Sequence, residues 1–189
     1  MMNGIVTIHG NDWKQADIQE DVDWCSKQPW TLKRYGMFLA DGSTTATVDF
    51  MQYAWTGAWP ANRAPRVESL QLDAKRAADN VVVAPGQRVA AKALAADPEG
   101  RELSYSWQVV REIKVKQTGG DDEPMPPTLN VSMEGGDGAN PSFIAPRRRG
   151  AYRLFVYVRD GSGSAGHANI PFYVTPPGTL PPVPRASKP

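Results

Sequence analysis

Three carboxylates in two predicted turns have the residue types and spacing of a cation site. Asp97 and Glu99 lie in the turn DPEG at residues 97–100, and Asp160 lies in RDGSG at residues 159–163. Calcium takes several oxygen ligands from such turns, so the three side chains would form a site if the two turns are neighbours at one end of a sandwich. Asp-Pro and Asp-Gly also form turns without any metal. Calcium is therefore a candidate cofactor, and no other cofactor is required.

Aromatic side chains provide a second kind of chemistry, the stacking of sugar rings on exposed ring faces. Trp13 ends the stretch HGNDW, whose polar residues could line a sugar subsite or could instead cap a helix. Tyr157 and Tyr173 lie in predicted strands, where aromatic residues are common for packing reasons alone. We take these three aromatic residues as candidate carbohydrate contacts.

Other chemistry finds little support in the sequence. The acidic residues Glu20 and Asp21 lie on the predicted solvent face of a helix, so no catalytic pair is assigned there. One cysteine and two histidines are too few ligands for a typical zinc site. The formal net charge is +1, and the three arginines of PRRRG are a weak nucleic-acid footprint. The sequence predicts no nucleic-acid partner, and it contains no apolar run of the roughly 20 residues needed to span a membrane.

A shift in composition divides the chain near residue 63. Residues 1–63 hold five of the six tryptophans, and DIQEDVDWCSKQP and TATVDFMQYAWTG predict two short amphipathic helices. In the second helix Val48, Met51 and Trp55 share one face. Two small helices with this much tryptophan cannot cover their own apolar faces, so they should pack on the rest of the chain or on a part that is not in it.

From Pro65 onward the apolar residues alternate, and Gly, Pro and Asp punctuate short segments. About seven such strands predict a mainly β fold, an immunoglobulin-like β-sandwich preceded by a short helical segment. Trp107 occupies mid-strand, where such a sandwich buries a large aromatic residue, and Tyr152 opens a strand as a tyrosine-corner residue does. We place the sandwich at residues 64–175 and predict a disordered Pro-rich tail at residues 176–189.

These segments carry a family resemblance. The blocks NRAPRVESLQL, AADPEGRELSYSWQV and GAYRLFVYVRDGSGSAGHANIPFYV resemble the immunoglobulin-like accessory domain, similar to PKD and cadherin-like modules, of bacterial secreted polysaccharide-active enzymes. The match covers about residues 62–175. Residues 1–63, with GIVTIHGNDW and MQYAWTGAWPANRAP, resemble the closing helices of a (β/α)8 glycoside hydrolase of the family 2 type.

The resemblance implies that the chain is a fragment, the C-terminal part of a secreted glycoside hydrolase. Its partners would be the catalytic barrel of that enzyme and a polysaccharide, and its location would be extracellular or periplasmic, although the chain shows no signal peptide. The family's catalytic glutamates have no matching motif here, so no catalytic residue is assigned and no activity is expected of this chain alone. The alternative is a stand-alone calcium-dependent adhesion or carbohydrate-binding module.

Overall fold

The computed structural model describes residues 37–39, 41–112 and 128–179. One α-helix precedes nine strands in these residues, and a short 3-10 helix, Ala77–Asp79, connects the first two strands. In chain order the elements are α1 (Ala46–Thr56), β1 (Arg66–Leu72), β2 (Val82–Val83), β3 (Arg88–Ala96), β4 (Ser104–Arg111), β5 (Thr128–Leu129), β6 (Met133–Glu134), β7 (Ser142–Ile144), β8 (Gly150–Arg159) and β9 (Ala165–Val174).

The strands form two sheets. The four-stranded sheet has the order β1-β3-β7-β6, and the five-stranded sheet has the order β2-β9-β8-β4-β5. All neighbouring pairs are antiparallel except β2 and β9, which run parallel. Strands β8 and β9 pair along their whole length, from Gly150 opposite Val174 to Arg159 opposite Ala165.

One hydrophobic core lies between the sheets. Leu70 and Val89 from the smaller sheet join Leu154 and Ile170 from the larger one, all fully buried. The rings of Phe143 and Phe172 meet across the two sheets at a centroid distance of 6.1 Å. The two sheets around one core confirm the predicted mainly β sandwich preceded by a short helical segment.

The two aromatic residues that favoured an immunoglobulin-like sandwich lie in the predicted strands. Tyr152 is buried, and its hydroxyl donates a 2.7 Å hydrogen bond to the carbonyl of Arg148, which is the tyrosine-corner arrangement. Trp107 is half-buried against the core, and its indole N–H donates to the carbonyl of Gly138 at 2.9 Å. Both side chains therefore satisfy their polar atoms while the rings pack on the core.

The connections between strands differ from a simple meander. The turn at Pro85 and Gly86 separates two strands of different sheets, β2 in the larger sheet and β3 in the smaller one. Residues 128–133 likewise contribute to both sheets, through β5 in the larger and β6 in the smaller. At both places the chain crosses from one sheet to the other at a bend. The alternation of apolar and polar residues does not reveal such a crossing.

Helix α1 forms where the sequence predicts it. Gly57 ends it in the left-handed conformation, with φ 74°, and its N–H donates to the carbonyl of Tyr53 at 2.8 Å. The side of the helix that is buried carries Thr47, Asp49 and Phe50. No helix among the described residues is long and apolar enough to cross a membrane.

Some predictions fall outside the described residues and stay predictions. These are the helix expected over residues 17–28, the carbohydrate candidate Trp13 and the tail from residue 180 onward. The domain limits at residues 63 and 175 also remain predictions, although the first strand begins at Arg66 and the last ends at Val174.

Candidate functional site

The segment before the sandwich is attached to one end of it by backbone hydrogen bonds. Thr44 forms a parallel bridge with Ser164 in the turn between β8 and β9. The N–H of Thr44 donates to the carbonyl of Gly163 at 2.9 Å, and the N–H of Ala165 donates to the carbonyl of Thr44 at 2.8 Å. Asp41 adds an ion pair with Arg159 at 2.7 Å. Thr44 therefore adds a single bridge to the larger sheet at this end, and the Asp41 side chain supports it.

Asn62 makes a second attachment, to the same turn. Its side-chain amide donates to Asp160 Oδ2 at 2.8 Å and to Ser164 Oγ at 2.9 Å. Asp160 Oδ1 accepts the backbone N–H groups of Ser162 and Ser164, at 2.7 and 3.1 Å. The carboxylate of Asp160 thus holds its own turn closed and binds the chain that leads into β1.

Arg63 reaches the neighbouring turn, DPEG. Its backbone N–H and its Nε donate to the two carboxylate oxygens of Glu99, at 3.1 and 2.8 Å. Arg101 donates to Glu99 Oε2 at 3.1 Å, so two guanidinium groups share one carboxylate. Because Asn62 and Arg63 are adjacent in sequence, they place the two turns of the calcium prediction side by side.

Two further carboxylates line this end. Asp97 Oδ1 accepts the N–H groups of Glu99 and Arg101, whereas its Oδ2 is buried and has no hydrogen-bond partner among the described residues. Asp49 on α1 is buried and accepts the N–H of Ala64 at 2.7 Å. We call this set of side chains the junction network; its members are Asp49, Asn62, Arg63, Asp97, Glu99, Arg101, Asp160 and Ser164.

Within the junction network, the pKa of Asp49 is raised whereas the pKa values of Glu99 and Asp160 are lowered. Burial raises the pKa of Asp49, and the nearby charges of Glu99 and Asp160 add to this rise. Desolvation also raises the pKa of Glu99, but the hydrogen bonds and charge of Arg63, with the charge of Arg101, outweigh it and hold the pKa below its usual value. At Asp160 desolvation is likewise outweighed, here by the N–H groups of Ser162 and Ser164 and by Asn62, so its pKa is lowered.

The calcium prediction stays a prediction in this geometry. Asp97, Glu99 and Asp160 do lie at one end of the sandwich, but the oxygens of Glu99 and Asp160 already accept protein donors. Among the described residues no three His, Cys, Asp or Glu side chains come together as a metal-binding group. The atoms left for a cation are Asp97 Oδ2 and Asn62 Oδ1, both buried and unpartnered within the described part of the chain. The sequence did not reveal that Arg63 and Arg101 would neutralise the acidic turn.

The second candidate site is the solvent face of the larger sheet. Tyr157 lies there with two aromatic neighbours that sequence reasoning did not single out, Phe155 on the same strand and His167 opposite on β9. The ring of Tyr157 lies 6.2 Å from that of Phe155, nearly parallel at 9°, and 6.4 Å from that of His167. We call Phe155, Tyr157 and His167 the aromatic row. Alternation along β8 could have indicated Phe155, whereas His167 required the strand register.

Neighbouring groups crowd the aromatic row. The guanidinium of Arg159 lies over the ring of Tyr157 at 5.8 Å from its centroid. Burial raises the pKa of the Tyr157 hydroxyl, and desolvation by neighbouring groups lowers the pKa of His167, which is exposed at the surface. The row therefore presents partly exposed aromatic faces beside polar atoms.

Tyr173 shares the same sheet face but not the same position. It pairs with Ala151 on β8, six residues from Tyr157 along that strand. At about 3.3 Å per residue the two tyrosines are roughly 20 Å apart. The structure therefore does not bring the two predicted carbohydrate contacts together, and each remains a separate prediction.

Comparisons with known proteins give distant structural similarity only. No protein-family model matches the chain, and no curated protein matches it. Among solved structures, the chain is similar to a nucleoside hydrolase-related hypothetical protein from Saccharophagus degradans that is associated with carbohydrate metabolism. Identity is 18 %, the TM-score is 0.40, and the match covers 67 % of this chain but 29 % of that one.

Two smaller proteins are similar over most of their own length. The PKD1 domain of Vibrio anguillarum Epp matches at 20 % identity and a TM-score of 0.37, covering 61 % of this chain and 99 % of that domain. The Escherichia coli copper resistance protein PcoC matches at 14 % identity and a TM-score of 0.36, covering 59 % and 99 %. At these values the similarities carry no argument about function, so the functional proposal rests on the residues of this chain.

Proposed function

We propose that this chain is a non-catalytic accessory part of a secreted, polysaccharide-degrading glycoside hydrolase, in which the sandwich supports the catalytic barrel. The observation that carries the proposal is the attachment of residues 41–65 to the end of the sandwich. Backbone hydrogen bonds at Thr44, side-chain hydrogen bonds from Asn62 and the ion pair of Arg63 with Glu99 act together there. A segment attached at several points transmits orientation, whereas a Gly/Ser-rich linker would not.

The sequence resemblance supplies the partner and the location in this proposal. Residues 1–63 resemble the last part of a family 2-type barrel, and the sandwich follows in the order in which the accessory domain of such enzymes does. The barrel would then be held by the junction network, and the protein would be extracellular or periplasmic.

The test of the barrel partner is the genomic DNA immediately 5′ to the first codon. We expect an in-frame or frameshifted extension that encodes the strands of a (β/α)8 barrel. Such an extension, expressed together with this chain, should hydrolyse a polysaccharide. Intergenic sequence with stop codons in all frames would overturn the barrel proposal and leave a stand-alone module.

Contact with carbohydrate is the second part of the proposal, and the aromatic row favours it. Rings that lie beside polar groups and remain partly exposed can stack on the apolar face of a sugar. Affinity electrophoresis in gels containing soluble polysaccharides measures this. Retardation should be lost in Tyr157→Ala and kept in Trp55→Ala, which removes an exposed aromatic residue elsewhere; equal mobility with and without polysaccharide would contradict a sugar contact.

Calcium binding is the rival function, and the unpartnered Oδ2 of Asp97 is the observation in its favour. An ion that binds only the folded state raises the melting temperature by mass action. Thermal unfolding in 5 mM calcium and in chelator separates the two cases. A higher Tm in calcium that Asp97→Asn abolishes would support calcium binding. Equal Tm values would show that Arg63 and Arg101 alone balance the negative charge of the carboxylates at this end of the sandwich.

A further inference from the structure

The segment before the sandwich carries an unusual share of exposed apolar surface. Among the described residues five large hydrophobic side chains are exposed, and three of them, Phe38 (58 % exposed), Tyr53 (37 %) and Trp55 (73 %), lie between residues 37 and 56. Isolated exposed apolar residues are normal, but a concentration of them in one short segment marks an interaction surface.

The apolar stripe of helix α1 lies away from the buried side of the helix. The buried side carries Thr47, Asp49 and Phe50; the ring of Phe50 packs against Trp59, and Asp49 accepts the N–H of Ala64. Val48, Met51 and Trp55, at spacings of three and four, lie on the other side of the helix. We call these three residues the α1 outer face. Val48 and Met51 are half-buried and Trp55 is the most exposed large hydrophobic residue described.

Met37, the first residue that the structure describes, lies beside the start of helix α1. The carbonyl of Met37 accepts the N–H of Thr45, the residue just before α1, at 3.0 Å. Residues 1–36 are thus joined to the chain beside the N-terminus of the helix. A tethered segment meets a nearby surface at a high effective concentration, which a free partner does not have.

Residues 1–36 are rich in apolar side chains that could pack on an apolar surface. They contain Trp13, Trp24 and Trp30, and the stretch DIQEDVDWCSKQP predicts an amphipathic helix with Ile18, Val22 and Cys25 on one side. An amphipathic helix buries its apolar side against another apolar surface. The α1 outer face is such a surface, and it lies in the segment that directly follows residues 1–36. We infer that residues 1–36 of this chain dock on the α1 outer face, with the Ile18, Val22 and Cys25 side against Met51 and Trp55.

Disulfide trapping in the full chain tests the docking, because Cys25 is the one native cysteine. With Met51→Cys, mild oxidation should form a disulfide within one chain at least tenfold faster than with Leu94→Cys. Leu94 is 52 % exposed on β3 and is therefore a matched accessible control away from the helix. Non-reducing electrophoresis and peptide mapping identify the bond. Equal rates for the two variants would overturn the inference.

Maleimide labelling tests the same docking without requiring Cys25 to reach disulfide geometry. In a Cys25→Ser background, Trp55→Cys should react with a maleimide at least tenfold more slowly than Leu94→Cys. Equal reaction rates would show that the α1 outer face is open to solvent and would contradict docking.

Disulfides between two chains, increasing with protein concentration, would identify a second copy as the occupant and would also overturn the inference. Docking of residues 1–36 does not depend on the proposed barrel, because the segment belongs to this chain. A negative result in the upstream DNA would therefore leave these measurements unaffected.

Discussion

The carbonyl oxygen of Pro65 lies 2.2 Å from the position that a β-carbon would occupy on Gly166. Pro65 leads into β1 and Gly166 lies near the start of β9, so the two sheets approach each other backbone to backbone at this point. Any side chain at residue 166 would have to push the strands apart. The absence of a side chain at Gly166 therefore permits this close backbone contact at the end that carries the junction network.

Gly166→Ala should destabilise the protein by about 1–3 kcal/mol, because the added methyl group meets backbone that cannot rotate away. Urea unfolding measures the loss. Gly138→Ala is the matched control, since its β-carbon would meet only the carbonyl of Gly135 at 3.6 Å, an ordinary contact. A similar loss in both variants would show that the close approach is not the cause.

Tyr152→Phe should cost about 1–2 kcal/mol of unfolding free energy. It removes the hydrogen bond to Arg148 from a buried residue while the ring still packs against Phe172. The comparison is Tyr173→Phe, a half-buried tyrosine on the sheet face, which should change stability by less than about 0.5 kcal/mol. If Tyr152→Phe is neutral in urea unfolding, the tyrosine corner contributes nothing to stability here.

Glu99→Gln should loosen helix α1 and the residues after it. Glu99 is 24 % exposed at its side chain and binds Arg63 and Arg101, whereas Glu134, 69 % exposed, pairs with Arg88 alone. We expect a loss of about 1–2 kcal/mol for Glu99→Gln and a clearly smaller loss for the solvent-exposed Glu134→Gln. Hydrogen exchange should show faster exchange at the Arg63 amide and in α1 in the first variant only; unchanged exchange there would exclude this attachment.

The acid dependence of Glu99 follows from the sign of its shift. Its pKa is lower in the folded protein, so its contribution is present above the unfolded pKa of about 4.3 and is lost as pH falls through the folded value. The stability difference between wild type and Glu99→Gln should therefore shrink below about pH 4. Urea midpoints measured from pH 7 to pH 3 test this, and a difference that stays constant would contradict it.

Asp49→Asn should act in the opposite direction. Burial raises the pKa of Asp49, so the charged form is a cost that is absent below the unfolded pKa of about 3.9, grows as pH rises from there to the folded value and is constant above it. The asparagine oxygen can still accept the N–H of Ala64. Asp49→Asn should be equal to or more stable than wild type at pH 7, with the gain vanishing in acid. A destabilised variant at pH 7 would show that the charge itself stabilises the junction.

Local patterns were enough to predict helix α1, the long strands and the role of Tyr152. Helix α1 ends at a glycine, the strands alternate, and Tyr152 sits at a strand start, all of which are visible within ten residues. The bulge in β1 was not predictable: between Val67 and Ser69 the register shifts, so that Val67 packs against the core together with Leu70. Simple alternation places residues 67 and 70 on opposite faces of a strand, and the bulge removes this difference.

The site was harder to predict than the fold because its contacts are distant in sequence. Arg63 and Glu99 are 36 residues apart, and Asn62 and Asp160 are 98 apart. The sequence showed the carboxylates of both turns, but which group neutralises them depends on how the chain before β1 crosses the sandwich end. The packing of helix α1 is a similar case. Phe50 is buried against Trp59 whereas Trp55 is exposed. Both residues are apolar, so which of them is buried depends on tertiary contacts.

Within the part of the chain that the structure describes, Pro171 lies in a stretch of β9 that pairs with a strand on one side only. It pairs with Arg153 of β8, while β2 reaches no further along β9 than Tyr173 and Val174. A proline there leaves no ladder donor missing and blocks the addition of a foreign strand to that stretch of edge. The residue that interrupts the pattern of the last strand thus protects the protein against edge-to-edge aggregation, and replacing it would create an edge able to recruit other chains.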